Sequence, residues 1–306
     1  MSLDTRAAVT VDPKAAKQTR STKSTRPTKS TNSDRVVGGV SHVILALWSL
    51  VVILPMLWTL LSSFKTTKEI FKSPFGLPAN WSFENYVNAW VKNNFGPMFL
   101  NTVIVVSAAL ILVMLLGAMC AYVLARFSVP GSRVIYYLML AGLTFPPFLA
   151  IVPLFFILQG MQLLNTLPGL IITYVAFALP FTVFFLFSFF KSLPYEIQEA
   201  AYVDGASEWR TFFQVMLPMA KPGLAAVAIM NFLGLWNQFL LPISLNTNRD
   251  NYVLSQGMAS FASSAGYQVD FGALFAAVII TIVPVLIVYI LFQRQLQGSV
   301  SQGTSK

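Results

Sequence analysis

Four side chains near residue 235 combine amides with an aromatic ring: Asn231, Trp236, Asn237 and Gln238, with Gly234 between the first two. Asn231 and Gln238 stand seven residues apart, so on a helix they share a face. Amides hydrogen-bond hydroxyls and an indole stacks on a sugar ring, which makes this set a candidate pathway for a neutral polyol. The competing use is hydrogen bonding between helices of adjacent subunits, about 0.6–2 kcal/mol per contact. Ionisable residues are nearly missing from the apolar runs. That argues against an ion- or proton-coupled pump with an intramembrane carboxylate relay.

Reactive chemistry is otherwise absent. No stretch matches G-x-x-x-x-G-K-[ST], so the chain has no phosphate cradle of that type, and an ATP-driven process would need another polypeptide to hydrolyse the nucleotide. His42 is the sole histidine, no metal-ligating or catalytic residue types cluster beside it in the sequence, and it is expected as a boundary residue at the edge of the first apolar run. Cys120 is the sole cysteine, which excludes a disulfide within the chain, and is expected as a small buried apolar residue. There is no zinc-ligand spacing and no Ser/His/Asp set. No catalytic residue, metal or cofactor is expected in this chain.

The charged and small residues gather in a hydrophilic island, residues 191–222, which reads KSLPYEIQEAAYVDGASEWRTFFQVMLPMAKP. Ser192 followed by Pro194 predicts a helix start, and Asp204-Gly205 predicts its stop after Val203. Ser207 then caps a second helix with Glu208 in its first turn, and Pro218 and Pro222 end it. Trp209, Phe212, Phe213 and Met216 fall at i, i+3, i+4 and i+7, one apolar stripe. Ala200 and Ala201 are small enough to let a helix sit deep in a partner's groove. Glu199 and Asp204 offer carboxylates at its edge, and Gly205 permits a sharp turn. Helical spacing alone favours an amphipathic connector lying on the membrane surface.

These elements sit in an apolar chain. Of 306 residues 56% are apolar and only 10% charged, against about 25% charged in soluble domains. Six stretches reach the roughly 20 residues needed to cross a bilayer. They fall near 40–61, 98–125, 134–158, 169–190, 223–242 and 271–292. The predicted fold is therefore an all-α integral membrane protein of six transmembrane helices with a two-helix loop at 191–222. Pro146, Pro147, Pro153 and Pro180 break the third and fourth runs, which marks them as bundle helices kinked for packing or around a pathway. With the N-terminus inside, fifteen of the 20 Lys/Arg fall on the inner side, so both termini and the island are expected in the cytoplasm. This distribution, rather than a nucleic-acid partner, accounts for the formal charge of +9. Residues 1–35 carry eight Lys/Arg and no apolar period and are expected as a disordered basic cytoplasmic tail, followed by a membrane domain at 36–298 and a short tail at 299–306. The segments 62–97 and 243–270 are expected on the outer side, as lid, short interfacial helices or loops.

Residue identity points the island elsewhere than the membrane surface. Glu199-Ala200-Ala201, three residues, Gly205, nine residues, then Val215-Met216-Leu217-Pro218 resembles the signature loop of permease subunits of ATP-binding-cassette importers, with Val215 in place of the usual isoleucine. The stretches ENYVNAW (84–90), LARFSVPG (124–131) and FLGLWNQFLLP (232–242) are similar to the carbohydrate branch, the second permease subunit of maltose-type systems. The resemblance implies that Glu199, Ala200, Ala201, Asp204, Gly205, Trp209, Leu217 and Pro218 dock on the ATPase. It also implies a second homologous permease, two ATPase subunits that bind the ATP and magnesium, and an extracellular or periplasmic solute-binding protein. The setting implied is a prokaryotic cell membrane and the solute a sugar. An importer of another solute, or a self-sufficient secondary carrier, are the alternatives.

Overall fold

The computed structural model describes residues 32–263 and 269–303. Most of the expected basic tail at 1–35 and the last residues of the 299–306 tail lie outside them, and α1 (Asn32–Ser62) begins four residues inside the former. No strand occurs among the described residues, so the all-α expectation matches the fold. The chain divides into two compact units at Leu54 and Pro55, within α1. In the first unit the side chains of Val40, Leu47 and Leu54 are exposed, and Ser49 Oγ donates back one turn to Leu45 O (2.8 Å).

The second unit opens with the rest of α1 and two short elements, α2 (Thr67–Lys72) and α3 (Glu84–Val87), the latter running on through a π turn at Asn88–Lys92. Fully buried Lys65 organises this segment by donating to Ser73 O and Pro74 O, both at 3.1 Å, with Trp58 Nε1 also on Pro74 O. Next come α4 (Phe95–Arg126), α5 (Ser132–Thr144), α6 (Ile151–Gly160) and α7 (Leu167–Ser192). Thr166 caps α7 by accepting from Gly169 N, and Pro168 fits the first turn because its missing N–H had no partner there. Then follow α8 (Tyr195–Val203), α9 (Glu208–Arg210), α10 (Leu217–Met219) and α11 (Lys221–Trp236). The chain ends with α12 (Leu240–Leu245), α13 (Leu254–Ser263) and α14 (Phe271–Gly303).

The spine of the unit is α4 against α7. Gly117 on α4 faces Thr182 on α7 so closely that an added Cβ would run into the threonine methyl. Helices in a bilayer gain little from burying apolar surface against one another, so small residues that let backbones approach supply the packing. Ala118, Ala121, Val183, Leu186 and Phe190 continue this contact as buried core.

Four helices are long and apolar enough to cross a membrane, and six segments qualify if each of two bent pairs counts as one span. Two of the predicted spans differ from straight helices. The run at 134–158 bends by 102° between α5 and α6. Pro146 and Pro147 cause this, since neither has an N–H to continue the ladder. The run at 223–242 stops at Trp236, and α12 starts afresh at Leu240. A continuous helix would place the Pro242 ring against the carbonyl of Gln238; that carbonyl instead accepts from Ser255 Oγ (2.8 Å). Cys120 is half-buried rather than buried.

Candidate functional site

The helix pair at 195–219 forms one side of the candidate site. Ser192 does not open it: its hydroxyl donates to Phe189 O (2.8 Å) in the last turn of α7, and Pro194 is the residue before α8. The stop is as the residues predict. Gly205 takes a left-handed conformation (φ +77°), and the N–H groups of Asp204, Gly205 and Ala206 return to the carbonyls of Ala200, Tyr202 and Ala201. Ser207 caps α9 by accepting from Arg210 N (3.4 Å). Across the turn Gln198 Nε2 donates to the Tyr202 hydroxyl (2.8 Å), which donates to Glu208 Oε2 (2.7 Å). Burial, and next the bond to the Glu208 carboxylate, hold the Tyr202 hydroxyl above its ordinary pKa.

The second helix ends at Met219, between Pro218 and Pro222 as expected, and bends there by 78° into α11. The chain passes through a π turn at Thr211–Met216 and resumes α winding, with Pro218 in the first turn of α10. The wider winding splits the predicted stripe. Phe212 and Met216 are buried, whereas Trp209 and Phe213 are exposed and stacked on each other (centroids 6.0 Å, planes 11° apart). Glu199, Ala200, Asp204 and Gly205 are exposed as well, Ala201 is buried, and Leu217 and Pro218 are half-buried.

Phe212 anchors this pair to the spine through the rings of Tyr122 on α4 (5.1 Å) and Phe190 on α7 (6.4 Å). Arg126, counted in the sequence only for its charge, is a second anchor. Its Nη2 donates to Leu193 O (2.6 Å) and its guanidinium lies 4.4 Å from the centre of the Tyr195 ring. Nε and Nη1 are buried without an acceptor among the described residues. A terminal arginine on an apolar run gives no sequence signal for such a contact.

The four candidate pathway residues part company. Asn231 and Gln238 line one cavity of about 430 Å³. The Asn231 amide is committed within it, donating to Thr182 Oγ1 (2.8 Å). Trp236 lines a separate apolar groove with Phe99 and Phe232, its indole donating to Thr281 O (3.2 Å). Asn237 is exposed and turns back to Leu233 O (2.9 Å).

Residues 113–302, from mid-α4 to the end of α14, match the family described as binding-protein-dependent transport system inner membrane component. The chain belongs to that family. As a member of it, the chain is a multi-pass membrane permease subunit and not an enzyme. The diacetylchitobiose uptake system permease of Streptomyces coelicolor is 70% identical to it over 273 residues, covering 89% of this chain and 90% of the relative. The trehalose transport system permease of Mycobacterium tuberculosis is 32% identical, covering 83% and 92%. In fold the permease is similar to a chain of a bacterial ABC transporter involved in import of the acidic polysaccharide alginate, with TM-score 0.75 at 21% identity over 86% of this chain and 98% of that one.

Proposed function

We propose that this permease forms half of the translocation pathway of an ATP-driven importer of oligosaccharides or related polyols, and couples that pathway to separate ATPase subunits. The observation that carries the coupling is the exposed helix pair hinged at Gly205 and fastened to α4 and α7 by Phe212 and Arg126. Glu199, Ala200, Ala201, Asp204, Gly205, Trp209, Leu217 and Pro218 form its docking element. Closure of two ATPase subunits on ATP and magnesium pushes this element. The anchors pass the displacement to the spine, which exchanges inward and outward openings because the two states bind the ATPase and the binding protein differently.

The names of the relatives support a sugar as solute. A second homologous permease completes the pathway, and a solute-binding protein delivers from outside. The excess of Lys/Arg on one side supports a cytoplasmic position for both termini and the helix pair. Reconstitution of the complete complex in liposomes tests this. Diacetylchitobiose uptake is expected to require ATP and the binding protein. Uptake by this chain alone, or uptake indifferent to ATP, would overturn the reading.

A further inference from the structure

The two broken spans meet at one place. The end of α5 and the end of α11 both face the 430 Å³ cavity, through Gly142 and Leu143 on one side and Gly234 and Gln238 on the other. In an intact helix the carbonyls of Gly142 and Leu143 would accept from residues 146 and 147. Those are Pro146 and Pro147, which have no N–H, and no other donor reaches the two carbonyls among the described residues. The side-chain amide of Gln238 likewise makes no hydrogen bond among them, unlike that of Asn231. Above Gly234 an added Cβ would meet nothing within 4 Å, so the cavity is open there. Aromatic rings of Phe145, Tyr174 and Phe177 make its walls, and no Asp, Glu, Lys, Arg or His lines it.

In a segment that crosses a membrane, unpaired backbone carbonyls are tolerated only where protein covers them or where they line a polar cavity, so a lipid chain is a poor occupant. We infer that this cavity is a subsite for one neutral sugar ring. Sugar hydroxyls donate to the Gly142 and Leu143 carbonyls, the Gln238 amide bonds further hydroxyls or an acetamido group, and the apolar ring face lies on the aromatic wall. The volume falls in the range of about 300–1,000 Å³ usual for small-molecule sites. Without a cation, a sugar carboxylate would lose its hydration uncompensated, so the subsite rejects uronic acids. Of the four amide and indole residues near position 235, Asn231 and Gln238 line the subsite, and only the Gln238 amide has both its donors and its acceptor free for solute. This inference rests on the proposed import of sugars.

The test uses the complete complex in liposomes with diacetylchitobiose as the probe. Gly234→Phe fills the cavity and is expected to reduce uptake at least tenfold with all subunits still co-purifying. Gly160→Phe adds the same ring at an exposed site outside the cavity and is expected to leave uptake within twofold. Gln238→Ala is expected to raise the half-saturating sugar concentration. In a Cys120→Ala background, modification of Gly234→Cys by a small thiol reagent is expected to slow when diacetylchitobiose is present, but not with a uronic-acid disaccharide. Wild-type uptake by Gly234→Phe, or thiol modification indifferent to sugar, overturns the subsite and leaves the import reading standing. Loss of the second permease from the Gly234→Phe complex also overturns it, by giving the cavity to that subunit. A wild-type complex that moves no neutral sugar removes both.

Discussion

Gly205 combines φ +77° with open space where a Cβ would go, so any substitution there acts through the backbone and not through a clash. A left-handed conformation costs an ordinary L-residue roughly 1–2 kcal/mol, less for asparagine, and more for a β-branched side chain. A shift of that size lowers the population of the hinged form by a factor of about 5–30. Because Gly205 is exposed and lies outside the α4–α7 contact, the spans are expected to fold normally in every variant. The order of uptake is therefore Gly205 wild type, Gly205→Asn, Gly205→Ala, then Gly205→Val, with the last reduced at least tenfold. Uptake is measured in liposomes, and ATPase affinity is measured on permease pairs in nanodiscs, where the same order is expected. Equal losses in Gly205→Asn and Gly205→Val would show that side-chain bulk, not backbone conformation, is what matters. Unchanged uptake in Gly205→Val would end the coupling argument.

Thr182→Val leaves the Asn231 amide without its oxygen partner and is expected to lower the thermal midpoint of the purified permease by the equivalent of about 0.6–2 kcal/mol. Adding Asn231→Leu should recover part of that loss; a double variant worse than the sum of the singles would refute the pairing. Arg126→Lys keeps the charge but loses the planar stack on Tyr195, and is expected to lower sugar moved per ATP hydrolysed. A normal transport ratio in that variant would remove Arg126 from the coupling path. The raised folded-state pKa of Tyr202 means its contribution to stability is complete below the ordinary phenol value of about 10 and is lost as pH climbs through the raised one. The difference in melting between wild type and Tyr202→Phe should accordingly be flat from about pH 6 to 9, and a slope in that window would contradict the assignment.

The features legible in the sequence are those that local chemistry decides. The Ser207 cap and the Gly205 stop depend on bonds to residues a few positions away, and both stand where the sequence puts them. Ser192 misleads because the apolar run carries α7 up to and including it, so its hydroxyl turns back to Phe189 O instead of capping α8. The stripe at Trp209, Phe212, Phe213 and Met216 assumes a 3.6-residue period, which the π turn breaks. Apolar length marks the spans, but proline position alone could not tell a kink from the full bend at Pro146-Pro147. Asn231 and Trp236 look alike as pathway residues until their partners, Thr182 and the Thr281 carbonyl, are seen. Those partners lie 49 and 45 positions away, beyond any local pattern.

Among the long helices, α1, α7 and α14 each contain an interior proline and α4 does not. At 1.5 Å per residue its 32 residues span about 48 Å, well beyond the roughly 30 Å of hydrocarbon. Near one end Asn101 grips the carbonyls of Asp250 and Tyr252, and Thr102 accepts from Leu254 N. At the other, Arg126 grips Leu193. A single unbroken rod thus has a handle near each end, so an axial shift or twist imposed at one handle has no flexible joint in which to dissipate before it reaches the other.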